Sequence, residues 1–225
     1  MDAEGLSRLF TAPVAACVAT AGMYDAPLMG REAEIVAKAV EKRRREFAAG
    51  RACARAALAE LGVAAGPILR DGDRAPVWPA GLVGSITHCD SFCAAVAARS
   101  SAALGLGFDA EGAAPLEPGM ARRICRADEL ERFAASPDPA GSNWPKVAFS
   151  AKEAFYKCWH PLQKRFLEFG DVSVWFAEGA DPTGGAFSVV VETPEKAAGG
   201  LARRMTGRWR IEDGRVYAGV TLPAL

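Results

Sequence analysis

The chain has 225 residues, half of them apolar and 24% charged, which is the make-up of a folded globular protein and excludes disordered, collagen-like and coiled-coil classes. Lysine plus arginine equals aspartate plus glutamate at 27 each, which speaks against bulk attraction to nucleic acid or to an anionic membrane. Any anionic ligand must therefore be held by locally placed cations. The six cysteines, Cys17, Cys53, Cys89, Cys93, Cys125 and Cys158, contain no Cys-x-x-Cys pair and read as reduced, mostly buried thiols. His88, Cys89 and Cys93 lack the second ligand group that a zinc site needs nearby. The opening MDAEGLSRLF is acidic where a secretory leader is basic, and the longest apolar run, 12–21, is too short to span a bilayer. No membrane span and a cytoplasmic location are expected.

Taken in chain order, Pro13–Thr20 reads as a buried strand. Leu28 to about Leu61 has helical composition, interrupted by the polar run Glu41–Glu46 and expected to break near Gly50. A turn-rich stretch, Gly66–Gly81, carries Arg70, Arg74, Pro76 and Trp78, and Gly84–His88 reads as a turn. Strands are expected at Ser91–Ala98 and Ala103–Glu111, then broken helix over 115–135 and a loop at Ser136–Pro145. A strong helix pattern over Val147–Trp159 should stop at Pro161. Four strands close the chain: Val172–Phe176, Phe187–Glu192, Met205–Glu212 and Val216–Leu222. The order β-α-α-β-β-α-α-β-β-β-β, with strands grouped between helical blocks, predicts an α+β architecture.

Three short stretches carry chemistry. In Gly105-Leu106-Gly107-Phe108-Asp109-Ala110-Glu111 the strand period puts Asp109 and Glu111 on one side, a pair of hard oxygens that suits magnesium. The plainer reading is a solvated strand end. In Phe149-Ser150-Ala151-Lys152-Glu153-Ala154-Phe155-Tyr156-Lys157, Glu153 and Lys157 lie one helical turn apart, which alone describes an exposed ion pair. The flanking aromatics argue against a fully solvated helix. Gly84-Ser85-Ile86-Thr87-His88 gathers hydroxyls, amides and an imidazole able to hold phosphate oxygens, although a lone turn histidine is more often structural.

In chain order, Gly84–His88, then Gly105–Glu111, then Phe149–Lys157, the three stretches resemble the 4′-phosphopantetheinyl transferases, in particular the long, pseudodimeric branch associated with enterobactin synthase. Arg44-Arg45-Glu46-Phe47-Ala48-Ala49-Gly50-Arg51-Ala52-Cys53-Ala54-Arg55 and Arg74-Ala75-Pro76-Val77-Trp78-Pro79 resemble it too, so the likeness spans residues 40–160. Residues 1–40 and 165–225 carry no matching motif, and Ala110 stands where members vary.

The resemblance implies two similar α+β halves related by a pseudo-twofold axis, here 1–100 and 101–225, in a monomer with coenzyme A between them. It implies transfer of the phosphopantetheine arm to a serine of an apo acyl or peptidyl carrier protein, releasing adenosine 3′,5′-bisphosphate. By the same match, Asp109, Glu111 and Glu153 hold magnesium (Mg2+) and Glu153 is the base. Lys157 and Lys152 neutralise phosphate charge. Arg43, Arg51, Arg70 and Arg74 are candidates for the ribose phosphate, with Thr87 and His88 nearby. Carriers of a siderophore or other peptide synthetase, a polyketide synthase or fatty-acid synthesis are all substrate candidates. A carrier-docking patch is expected at Met120, Arg122, Arg123, Ile124 and Arg126, with Arg203, Arg204, Arg208 and Arg210 ranked second. The competing readings are a magnesium-dependent nucleotide hydrolase with no protein partner and a noncatalytic carrier-binding module.

Overall fold

The computed structural model describes residues 1–64, 66–177, 181–197 and 203–224. In chain order the elements are α1 (Ala3–Ser7), β1 (Ala15–Val18), α2 (Glu32–Ile35), α3 (Glu41–Glu60), β2 (Leu82–Cys89), β3 (Phe92–Arg99), β4 (Ala103–Gly112), α4 (Pro118–Ile124), α5 (Ala127–Ala134) and α6 (Trp144–Gln163). Then follow β5 (Val172–Phe176), β6 (Gly184–Val191), α7 (Pro194–Ala197), β7 (Arg204–Glu212) and β8 (Arg215–Pro223). The class is α+β, as expected. One antiparallel sheet has the order β1-β3-β2 and the other β4-β8-β7-β6-β5.

Each sheet carries one long helix on an outer face. Cys53, Ala54, Ala57 and Leu58 of α3 pack on Ala15, Ala95 and Ala97. Val147, Ala151, Ala154, Phe155 and Trp159 of α6 pack on Val174, Val189, Val191 and Val220. Full burial of a side chain such as Phe155 stabilises by roughly 1.5–3 kcal/mol, before packing is counted. The inner faces meet in a third cluster, where Phe92, Ala94, Val96 and Ala98 of β3 lie with Leu106, Phe108 and Ala110 of β4 under Leu6, Leu9 and Phe10. Because β3 is buried on both faces, it reads as a continuous small apolar run instead of alternating.

The residues of β4 that face α6 are Gly105, Gly107, Asp109 and Glu111, opposite to Leu106, Phe108 and Ala110. A Cβ on Gly107 would lie 1.8 Å from the Ala154 carbonyl oxygen, so glycine is what lets α6 sit directly on the strand. That close approach brings the charged residues of the helix to Asp109.

Four expectations are corrected. Gly84–His88 is strand, not turn: it pairs along β3, while the Ser85 and Thr87 hydroxyls accept the Phe108 and Ala110 N–H groups at 3.0 and 3.2 Å. Glycine and hydroxyl residues hide strand character that neighbouring elements supply. The helix does not break at Gly50, whose missing side chain makes room for Ile86, 2.9 Å from the Cβ site. The polar run from Glu41 begins α3 instead of interrupting it, and Leu28–Val40 holds only the short α2. There the fully buried Glu32 carboxylate accepts the Met29 and Ile68 N–H groups and pairs with Arg55 at 2.9 Å. Pro161 lies inside the last turn of α6, and the chain leaves the helix at Lys164 with a left-handed φ of 52°.

Candidate active site

Asp109 is buried, and both of its oxygens are held from α6. Ser150 Oγ donates to Oδ2 at 2.8 Å, and Lys157 Nζ donates to Oδ1 at 2.7 Å and to the Phe108 carbonyl at 3.2 Å. Thr87 Oγ1, reaching over from β2, accepts from Lys157 at 3.3 Å. The partner of Lys157 is thus Asp109 on the strand, not Glu153 on its own helix face. Glu111 Oε2 meets Lys146 Nζ at 3.5 Å.

Glu153 lies beside this pair. Burial pushes its carboxyl above its ordinary value, the Asp109 charge adds to the rise, and Lys157 opposes it. The Glu111 carboxyl is raised for the same reasons, burial first and Asp109 second, with Lys146 opposing. Asp109, Glu111 and Glu153 therefore share one electrostatic environment. Among the described residues they are not drawn into a single coordination-sized group, and Ser150, Lys157 and Lys146 engage oxygens of Asp109 and Glu111.

Lys152 departs from its expected role. Its ammonium turns away from Asp109 into the protein, donating to Glu129 at 2.7 Å and to the Ile124 and Phe169 carbonyls at 2.9 and 3.1 Å. Glu129, fully buried, accepts the Val174 and Arg126 N–H groups at 2.6 and 2.7 Å. Such a saturated buried pair ties α4, α5, α6 and β5 together, and removing one partner from a pair of this kind costs about 3–5 kcal/mol. Position i−1 to Glu153 on a helix points to a different side, which the motif by itself does not reveal.

On the other side of Lys157 a cavity of about 300 Å³ runs between α3, β2 and the end of α6. It collects Arg43, Arg51, Arg70, Arg74, His88 and Lys157, with Phe47 and Trp78 in the wall. The Arg51 guanidinium lies over the Phe47 ring at 4.2 Å and Nε donates to the Ile68 carbonyl at 2.7 Å, while Nη2 is buried without a hydrogen-bond partner among the described residues. Burial first, then Arg70, lower its pKa to about 10. Arg70, which also faces Phe47, is lowered by burial and by Arg43 and Arg74. His88 touches Arg43, and burial followed by that charge holds its ring below the ordinary pKa.

Arg70 and Arg74 reach the cavity on a turn in which Asp71 Oδ1 accepts the Asp73 and Ala75 N–H groups at 3.0 and 2.9 Å. Arg74 takes a left-handed φ of 68° there, and Lys164 at the end of α6 pairs with Asp71. Thr87 faces β4 and Lys157, not the arginines.

A second, apolar groove of about 780 Å³ opens beside α6 and α4, lined by Met120, Arg123, Ile124, Phe149, Phe166 and Glu153, among others. Arg122 is exposed on α4, and Arg126 is engaged by Asp128 and the Gly170 carbonyl. Arg204, Arg208 and Arg210 stand on the exposed face of β7, away from both cavities. Three functional neighbours escaped the sequence reading: Ser150, Lys146 and Glu46, the last pairing with Arg43 at 3.2 Å. Ser150 lies within the Phe149–Lys157 stretch, and Lys146 carries no signal beyond its place at the start of a helix.

Residues 31–98 match the family model described as 4′-phosphopantetheinyl transferase N-terminal domain, and residues 105–198 that of the 4′-phosphopantetheinyl transferase superfamily. The 4′-phosphopantetheinyl transferase Svp of Streptomyces mobaraensis is 39% identical over 204 residues, covering 88% of this chain and 79% of its own. The chain belongs to the 4′-phosphopantetheinyl transferase superfamily. Another such transferase, PptT of Mycobacterium tuberculosis, is 38% identical over 192 residues, with 85% and 84% covered. Enterobactin synthase component D of Salmonella typhi is 40% identical over 118 residues, 52% of this transferase and 48% of its own chain. Among the described residues of the transferase no helix is long and apolar enough to cross a membrane.

Proposed function

We infer that this transferase, acting as a monomer, moves the 4′-phosphopantetheine arm of coenzyme A to a serine hydroxyl of an apo acyl or peptidyl carrier protein. One observation carries the reading. Glu153 and Lys157, a single turn apart on α6, face different cavities: Lys157 lines the arginine-rich one and Glu153 the apolar groove, with Asp109 between them. A polyphosphorylated nucleotide on the basic side and a protein hydroxyl on the apolar side would meet across this centre. Residues 1–100 and 101–225 would each supply part of the nucleotide site.

In this reading Arg43, Arg51, Arg70, Arg74 and His88 hold coenzyme A phosphates as charge-assisted donors. The buried unpartnered Nη2 of Arg51 is a donor available to such an anion. The serine enters from the groove, with Arg123 and the exposed Arg122 meeting an acidic carrier surface. Its Oγ attacks the phosphorus that bears the pantetheine arm, forming a phosphodiester and breaking the bond to the bridging oxygen. Glu153 takes the serine proton, a role its raised pKa suits. Lys157 neutralises the charge developing on the bridging oxygen, which leaves as adenosine 3′,5′-bisphosphate.

The acid set fits a magnesium ion. Asp109, Glu111 and Glu153 offer hard oxygens; burial first and the Asp109 charge second raise Glu111 and Glu153, and a divalent cation would offset both. Bound there, the metal would supply charge neutralisation at the diphosphate.

Intact-mass measurement of apo carriers incubated with coenzyme A, magnesium and the protein tests the reading. A carrier heavier by one phosphopantetheine, with coenzyme A untouched when no carrier is present, is expected. Turnover of coenzyme A alone would make the protein a hydrolase, and carrier binding without a mass change would make it a noncatalytic module.

A further inference from the structure

The acidic centre holds a second lysine whose surroundings resemble those of Lys157 but which no motif marks. Lys146 sits in the first turn of α6, where Asn143 Oδ1 accepts its backbone N–H at 3.0 Å. The residue is only 8% exposed, and its ammonium lies 5.5 Å from the centroid of the Phe149 ring. Among the described residues the hydrogen bond to Glu111, at 3.5 Å, is the one bond of that ammonium and the one bond of that carboxylate. Lys146 also lines the wall of the apolar groove, where its ammonium faces a ring and a single carboxylate.

Resting on the reading that Asp109, Glu111 and Glu153 take a divalent cation, we propose that Lys146 is an internal counter-ion of Glu111 that the metal must displace. It therefore sets the affinity of the centre for metal. Without a cation, the ammonium is the hydrogen-bonded counter-charge of a part-buried carboxylate beside Asp109, with Lys157 as a more distant one. With one, the ammonium and the metal compete for the same oxygens, and a unit positive charge a few ångströms from the site opposes the second charge entering it. Lys157 holds Asp109 from the opposite end in the same manner, but it also reaches the phosphate cavity, whereas Lys146 does not. Lys146 is thus the residue that tunes the metal without touching the nucleotide.

Titration of the full chain with Mn2+ in the absence of coenzyme A, followed by electron paramagnetic resonance, tests this directly. Lys146→Met, which keeps the stem on Phe149, should bind Mn2+ about 5-fold more tightly, and Lys146→Arg should behave as the wild type. In a Glu111→Gln background the gain from Lys146→Met should shrink, since only the through-space repulsion remains. Circular dichroism confirms folding, and Lys146→Gln gives an independent variant with the same expected direction. Unchanged or weaker Mn2+ binding in folded Lys146→Met and Lys146→Gln, while Asp109→Ala still loses binding, overturns the proposal alone. Mn2+ binding that survives Asp109→Ala unchanged overturns the metal reading and the proposal with it.

Discussion

The acidic centre on β4 and the arginine cavity beside α3 differ in how their charges are balanced. Around Asp109 and Glu111 each acid has a partner from α6: Ser150, Lys157 or Lys146. In the cavity four guanidiniums crowd together with Glu46 and Asp73 as the acids in the wall, Arg51 keeps a buried unpartnered nitrogen, and Arg51 and Arg70 are pushed down by burial and by one another. In the first region Asp109 and Glu111 are each paired and held in geometry by the fold, while Glu153 adds a third acid that has no ion pair among the described residues. In the second, among the described residues, four guanidiniums outnumber the two acids, Glu46 and Asp73. Burial of uncompensated like charge is stable only at a cost, and a ligand anion removes that cost on binding.

The largest effect expected from breaking the comparison is at Asp109. Asp109→Ala strips the partner from Ser150 and Lys157 at once, so carrier modification should fall by at least about 10³-fold while coenzyme A binding at the arginines weakens far less. Single-turnover transfer, with coenzyme A binding measured by calorimetry, checks both halves of that statement. Equal losses in the two assays would show that the regions are not separable.

Glu153→Gln comes next, since it keeps volume and removes the proton acceptor. A loss of at least about 10²-fold in kcat, with an unchanged unfolding temperature, is expected. Near-wild-type turnover would leave Glu153 as a passive wall of the groove.

In the cavity, Arg70→Ala removes one donor from an anion site that retains Arg43, Arg51 and Arg74. The coenzyme A KM should rise about 10-fold, with the carrier KM unchanged, as fits loss of one charge-assisted bond. A change confined to the carrier KM would place the nucleotide elsewhere.

The smallest effect concerns protons. In the free protein burial and Arg43 hold His88 below its ordinary pKa, so its ring is neutral at pH 7. A phosphate beside it favours the charged ring and raises that pKa, so binding takes up a fraction of a proton and tightens as pH falls toward the free value. Calorimetry of coenzyme A binding in buffers of different ionisation enthalpy should show uptake in the wild type and none in His88→Gln. Identical proton counts in the two would remove His88 from the phosphate site.

Much of the centre was legible from spacing alone. Strand period put Asp109 and Glu111 on one side, and helical period put Glu153 one turn from Lys157, because both repeats are properties of the local backbone. The strands β3 to β8, the helices α4 and α5 and the middle of α6 were readable for the same reason, whereas α7 was not expected and α6 extends beyond Val147–Trp159 at both ends. The strand at Gly84–His88 was not, since its glycine and hydroxyl residues are stabilised by β3 and β4, which are brought to it by the fold. Nor was the unbroken α3, where a glycine that looks like a helix stop is a contact surface for Ile86.

By itself the sequence determined which chemistries are present and in what order: two carboxylates on a strand, a Lys-Glu-x-x-x-Lys helix and a set of arginines ahead of both. Only the tertiary structure decided the partners. It sent Lys152 inward to Glu129, joined Lys157 to Asp109 across the strand, gave Glu111 to Lys146 and drew four arginines from α3 and a distant turn into one cavity. A repeat of 2 or 3.6 residues fixes the direction of a side chain relative to its own element. What lies in that direction depends on how closely another element can approach, and here Gly107 under Ala154 lets α6 close enough for its lysines to reach the strand.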